Sequence, residues 1–296
     1  MAGRERLNSV IRAFEAKVPA FASFASADVN TAISFRDTAY DNVVFEMEHQ
    51  PWDALALRDS LQYLLDRRLI AQSGSVASTI TPFVRVPANG SEMNQWMAKQ
   101  ALDLGCYGIV WPHIATEDEA RAAVAACRYP RPKGSPNLEP AGLRGDSPTA
   151  AARYWGISLQ EYYDRADVWP LDPSGEILCV IMIEDEDGIK NLDAMLRNVP
   201  GIGLILIGQG DLSRVLGVPR EYDHPKVQAA TKEIRAICKK HGVMAGRPQV
   251  DAANIEAALA EGYDYLMPAP TRSLAALETG LKLSKRSEST KRSKSK

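Results

Sequence analysis

Short apolar runs separated by amphipathic stretches recur from one end of this chain to the other, and that alternation limits the fold more than any other feature. Apolar runs of four to seven residues read as strands, and apolar positions three and four apart between them read as helices. The pattern is that of repeated βα units feeding a parallel sheet. The runs predict eight strands, at Ala20–Ala25, Val43–Glu48, Thr81–Val86, Gly108–Trp111, Ile177–Ile183, Gly203–Ile207, Val243–Gly246 and Tyr265–Pro268. Helical spacing occupies Ala54–Asp66, Met93–Leu104, Glu117–Cys127, Lys226–His241, Ala252–Glu261 and Thr271–Leu283. Thr116 and Asp251 stand where N-capping side chains belong. Eight strands with helices between them predict an α/β fold closed as a (β/α)8 TIM barrel, a single domain over residues 1–283.

Two segments break the rhythm. From Tyr129 to Pro173 the chain is rich in Pro, Gly, Arg and aromatics, a long excursion after strand four. Loops of that length inside a domain are functional lids or interface elements in most folds. The last 13 residues, Ser284 to Lys296, hold six Lys/Arg and one Glu in a chain of net charge -2, so the body carries about -7. The tail has almost nothing apolar to bury and is predicted to be disordered. A body of that sign presents no general field for polyanions, so neither nucleic acid nor membrane is an expected partner. No stretch approaches the roughly 20 apolar residues of a membrane span, and the four scattered cysteines show no metal-binding or disulfide spacing. A cytoplasmic protein is the expectation.

In such a barrel the chemistry belongs at the C-terminal ends of the strands, and polar residues concentrate there. Strand two ends in Phe45-Glu46-Met47-Glu48-His49, strand three carries Arg85, strand four leads to His113, strand five ends in Glu184, and strand six runs into Gly208-Gln209-Gly210-Asp211. Period-two alternation puts Met182 with Glu184, Glu46 with Glu48, and Phe83 with Arg85 on common faces. If those faces point inward, Glu184 and Asp211 come from neighbouring strand ends about 5 Å apart, close enough to share a hard divalent cation such as Mg²⁺ or Mn²⁺. Each residue also has an ordinary reading. Asp211 stands where a helix cap would, Arg85 could be an ion-pair partner, and His49 could pair with Glu48 at the surface. His224 and His241 read as loop and helix-end residues.

Four stretches together resemble the HpcH/HpaI aldolase family of metal-dependent pyruvate aldolases: Met47–Pro51 (MEHQP), Val84–Pro87 (VRVP), the ACRYP of 126–130 with the GLRG of 142–145, and Ile183-Glu184 followed by the GQGDLS of 208–213. The resemblance covers residues 19 to 283 and implies a class II aldolase, a lyase that cleaves or forms a 4-hydroxy-2-oxo acid from pyruvate and an aldehyde. It implies a divalent metal (Mg²⁺, Mn²⁺ or Co²⁺) on Glu184 and Asp211. Arg85 would contact the keto oxygen, His49 would do acid/base work beside Glu46, and the turn of Gln209, Gly210 and Asp211 would hold the substrate carboxylate. It further implies a homo-oligomer, a hexamer built as a trimer of dimers, with Arg144 reaching a neighbouring subunit or ordering the site loop, and a role in the catabolism of organic or aromatic acids. Three positions depart from the family pattern: Met182 stands for Gln, Glu46 for Asp, and Gln209-Gly210 for Pro-Ala. Trp111 and the aromatics of the excursion (Tyr154, Trp155, Tyr162, Tyr163, Trp169) are read either as the wall of a pocket for a bulky aldehyde or as oligomer packing. An oxaloacetate-type decarboxylase on the same scaffold and a ligand-binding barrel without catalysis stay open as alternatives.

Overall fold

The computed structural model describes residues 5–87, 95–268 and 274–284. Nine strands form one parallel sheet: β1 Ala20–Ala25, β2 Asn42–Glu46, β3 Thr81–Arg85, β4 Gly108–Trp111, β5 Val168–Trp169, β6 Ile177–Ile183, β7 Leu204–Ile207, β8 Met244–Val250 and β9 Tyr265–Pro268. Their order is β4-β3-β2-β1-β9-β8-β7-β6, and β4 also pairs with β6, which closes eight of them into a ring. The two-residue β5 lies outside the ring and pairs with the start of β6. This is the (β/α)8 barrel expected from the alternation of apolar runs, with one short strand added.

Register identifies the two faces of the wall. Glu46 pairs with Arg85, Arg85 with Val110, Val110 with Val180, and Met182 with Leu206, so these residues share the barrel interior. Phe83 is on the same face and lies opposite Gly108, where a Cβ would stand 2.8 Å from the Phe83 ring, so only glycine fits there. Trp111 pairs with Ile181, one residue out of phase, and therefore points toward the helices. Its neighbour on that face is Cys179, whose thiol meets Cys127 at the end of helix Glu117–Ala126. At 1% exposure Trp111 is core, and it does not line the mouth as a substrate-pocket residue would.

The floor, at the N-terminal ends of the strands, is sealed by the first helix, Ser9–Glu15. Asn8 caps that helix, accepting from the N–H groups of Val10 and Ile11, and its Nδ2 donates to the carbonyls of Tyr107 and Glu176. Glu176, fully buried, accepts the backbone N–H groups of Leu7 and Asn8 at 3.0 and 2.9 Å and faces Arg6 and Arg165 at 3.6 and 3.4 Å. Ser9 bonds to the Thr81 hydroxyl and the Asp41 carbonyl. Backbone polar groups on the floor thus find partners within the chain.

The excursion is not a lid. It follows the helix after β4, so it returns along the floor side, and it contains helices Thr149–Trp155 and Leu159–Arg165 in place of bare loop. Trp155 stacks on Tyr107 at 4.3 Å between ring centroids and donates its indole N–H to the Gly105 carbonyl at 2.9 Å. Arg144 lies inside this layer, 4.2 Å over the Tyr129 ring, bonded to the Tyr162 hydroxyl at 2.9 Å and to Asp103 at 3.0 Å. Tyr154, Trp155 and Tyr162 are buried in the same cluster. Neither the substrate-wall reading of these aromatics nor the reach of Arg144 to another subunit survives, because the excursion supplies its own core. Tyr163, unlike Tyr154 and Tyr162, is exposed.

All four cysteines are free and buried. Among the described residues no helix is long and apolar enough to cross a membrane. The basic tail from 285 onward lies outside the described residues.

Candidate active site

The polar ends of β2, β3, β4, β6 and β7 meet at the opposite rim. Glu46, the last residue of β2, turns its carboxylate back on the chain: Oε1 accepts the backbone N–H of Glu48 at 2.8 Å and of His49 at 3.2 Å, and Oε2 takes an Arg85 Nη2 hydrogen bond. This side-chain clamp ends the strand two residues earlier than the apolar pattern suggests and aims Glu48 inward. Glu48 in turn holds Arg85 Nη1 at 3.0 Å. The guanidinium lies 4.5 Å over the Phe24 ring and 3.8 Å from Met182 Sδ, with its Nε buried and unpaired. Two carboxylates and an aromatic face therefore fix the plane of Arg85 before any ligand arrives.

Glu184 follows β6, and the next residue does different work. Asp185 caps helix Glu186–Asn198 by accepting the Gly188 N–H at 2.6 Å, while Glu184 points into the barrel, 3% exposed. Room for it comes from Gly208, where a Cβ would lie 2.2 Å from Glu184 Oε2. Its Oε1 accepts the backbone N–H of His113 at 2.7 Å. Burial raises the Glu184 carboxyl to about 7 against the opposing pull of His113.

His113 is reached through Trp111-Pro112 by a left-handed turn with φ of 54°. That conformation is uncommon outside glycine, and His is among the residues that adopt it more readily. It swings the imidazole to the mouth, Nε2 3.3 Å from Glu48 Oε1 and Nδ1 3.7 Å from Glu184 Oε1. The hydrogen bond to Glu48, with the nearby charges of Glu184 and Asp211, outweighs burial and lifts the imidazole to about 9. Glu48 goes the other way: burial pushes its carboxyl up, but the bond from His113 and the charge of Arg85 prevail and leave it below its ordinary value.

Asp211 is the third residue of helix Gln209–Val215, whose capping position is Gly208, so its carboxylate is not the cap considered from the sequence. Ligand atoms of His113, Glu184 and Asp211 all lie within 4.8 Å of one another. A buried carboxylate held above its usual range, a second carboxylate and an imidazole form an oxygen- and nitrogen-donor set lacking a dication's positive charge, and they fit a divalent metal.

Other residues expected at the site are placed as follows. Met182, 3% exposed, forms the interior wall beside Arg85, and Gln209 is buried with its Oε1 unpaired. The His49 side chain is 65% exposed and faces Glu48 at 3.6 Å, not Glu46, whose carboxylate binds the His49 backbone instead. Two residues that the sequence places at strand ends without a role belong to the site. Alternation already sets Glu48 on the Glu46 face, and the structure adds its contacts to Arg85 and His113. For His113 strict alternation from Trp111 points outward, and only the left-handed turn brings it in.

The model of the HpcH/HpaI aldolase/citrate lyase family matches residues 21–267. The chain belongs to this family. A hydroxypyruvate/pyruvate aldolase of Sagittula stellata is 28% identical over 89% of this chain and 90% of its own length. A 5-keto-4-deoxy-D-glucarate aldolase of Salmonella paratyphi C is 31% identical over 70% and 68%. Among solved structures, an HpcH/HpaI aldolase/citrate lyase family protein of Burkholderia cenocepacia superposes with a TM-score of 0.73 at 26% identity, covering 94% of this chain and 98% of that one. Lyase chemistry on a TIM barrel is thus the family setting in which the rim described above has to be understood.

Proposed function

We propose that this HpcH/HpaI family member is a divalent-metal-dependent 2-oxo acid aldolase that cleaves or forms a 4-hydroxy-2-oxo acid, with pyruvate or a close analogue as the donor and an aldehyde as its partner. The observation that carries the reading is the convergence of Arg85 with Glu184 and Asp211 on one rim, in a chain whose relatives carry aldolase names. Glu184 and Asp211 would hold the cation, and when bound it supplies Lewis-acid stabilisation to the negative charge that develops on the oxo-acid oxygen.

The protein's own groups account for the rest. Arg85 is held flat by Glu46 and Glu48, so a guanidinium N–H is preset toward the developing enolate charge without reorganisation during the reaction. The first-turn N–H groups of helix Gln209–Val215, at Gly210 and Asp211, have no intrahelical acceptor, which suits a substrate carboxylate. His49, exposed and adjacent to Glu48, is assigned the proton transfer at the hydroxyl that becomes the aldehyde. Met182 gives the wall beside Arg85 an apolar thioether, which favours an aldehyde without a hydrogen-bonding group at that point.

The same reading includes assembly as a hexamer, a trimer of dimers, which would cover exposed Leu143, Leu159 and Tyr163 on the excursion. Light scattering of the purified chain measures it. The decisive experiment on activity follows deuterium exchange into the pyruvate methyl group in D2O, alone and with EDTA. Exchange that needs Mg²⁺, Mn²⁺ or Co²⁺ and disappears on chelation is expected. Undiminished exchange in stripped protein refutes the metal role, and absence of exchange with metal present refutes the aldolase.

A further inference from the structure

A ligand set of two carboxylates leaves His113 unexplained, and its environment is that of a coordinating histidine. Metal-binding imidazoles characteristically donate the ring N–H that faces away from the ion to a carboxylate, which fixes the tautomer and keeps the other nitrogen's lone pair on the metal. His113 is placed in that way: Nε2 is directed at Glu48 Oε1, 3.3 Å away, and Nδ1 lies toward Glu184. Glu48 is itself anchored by Arg85 at 3.0 Å, so the outer carboxylate is held as firmly as the ring it orients. The backbone contributes too. The left-handed turn that delivers the imidazole also delivers the His113 N–H to Glu184 Oε1, so one residue positions a ligand carboxylate and offers a donor of its own.

We propose that His113 is a third protein ligand to the divalent cation, completing a His113, Glu184 and Asp211 triad backed by Glu48, and that it makes the site prefer Mn²⁺ or Co²⁺ to Mg²⁺. The inference rests on the proposed metal-dependent function and adds to it a nitrogen donor and a metal preference. The physical reason is ligand softness. Mg²⁺ takes oxygen donors almost exclusively, whereas imidazole binds the later first-row dications better, in increasing order from Mn²⁺ to Co²⁺. Glu48 then has a structural part in metal selection, apart from its grip on Arg85.

The test uses the whole chain and metal alone. Mn²⁺ is added to stripped protein and its coordination is read by pulsed EPR, in wild type and in His113→Asn, a substitution chosen because Asn also tolerates the left-handed turn. Directly bound ¹⁴N coupling in the wild type, absent in H113N, is expected. Calorimetric titration should show the affinity for Co²⁺ falling about tenfold or more in H113N while that for Mg²⁺ falls much less, so the preference collapses. Mn²⁺ that binds the wild type without nitrogen coupling overturns the third ligand and leaves the two-carboxylate site standing. Equal losses for Co²⁺ and Mg²⁺ in H113N assign His113 to positioning Glu184 and overturn the selectivity. No Mn²⁺ uptake by the wild type overturns both this inference and the function on which it rests.

Discussion

The two ends of this barrel handle buried charge in opposite ways. At the floor every carboxylate described is matched: Glu176 takes two backbone N–H groups and faces two arginines, and the Arg128–Asp167–Arg131–Asp172 network of the excursion is closed on itself. At the rim Glu46, Glu48, Glu184 and Asp211 converge around one guanidinium and the imidazole of His113, with exposed His49 beside Glu48, and burial holds the Glu184 carboxyl up to about 7. Fully satisfied networks stabilise a fold, whereas charge left in excess is a site prepared for a ligand. The difference teaches which end is scaffold and which is chemistry.

The largest effect that separates the ends is expected from Glu184→Gln or Asp211→Asn. Either should lower turnover by about a thousandfold, the scale of a lost transition-state charge contact, while the thermal midpoint stays within a few degrees. A fall in the midpoint of the kind seen for core variants would break the distinction. Next comes the floor: Glu176→Ala leaves the Leu7 and Asn8 N–H groups without their acceptor and removes the carboxylate that Arg6 and Arg165 face, and should destabilise by about 3–5 kcal/mol, with metal affinity in the surviving fold unchanged. Denaturant titration and calorimetry on the same sample decide it. Arg85→Lys should reduce kcat/KM by about ten- to a hundredfold, because one ammonium cannot satisfy Glu46, Glu48 and a substrate oxygen in one plane.

Much of the fold was legible because parallel strands are buried on both faces and read as nearly unbroken apolar runs. Ala20–Ala25, Gly108–Trp111, Ile177–Ile183 and Tyr265–Pro268 have the bounds that the sequence suggests. Elsewhere polar detail intervened. β8 continues to Val250 through Arg247-Pro248-Gln249, a stretch with a register irregularity that no apolar pattern announces. Helix Glu186–Asn198, capped by Asp185, lies outside the segments that helical spacing predicts, and β5 is too short to carry a pattern. At the site, strand-end acids were visible from alternation alone. What was hidden depended on side chains folding back on backbone: the Glu46 clamp and the His113 turn each override period two through one local contact.

A pH titration sharpens the contrast further, with a smaller effect. In metal-free protein Glu184 holds its proton up to about 7, above its unfolded value, and His113 holds its proton up to about 9. The folded state therefore binds more protons than the unfolded one across both windows, and this contribution to stability is lost as pH rises from about 4.5 through 7 and from about 6.5 through 9. Metal uptake must displace those protons, so affinity should climb with pH until about 9, and proton release should be measurable in two buffers of different ionisation enthalpy. Flat affinity over that range refutes the assignment. The smallest change expected is Trp111→Phe, which trims the helix-facing side of β4. It should destabilise by about 1–2 kcal/mol and leave KM as it was, whereas a changed KM would return that residue to the pocket.

Ring closure has a consequence for biosynthesis. β1 is completed on one side only by β9, through Ala20 with Tyr265 and Phe21 with Leu266. Until the ribosome has released the final βα unit, the growing chain carries an unpaired strand border of apolar residues near its start, a template for pairing with other nascent chains. The protein should thus depend on help from a holding chaperone in proportion to how slowly its last quarter is translated.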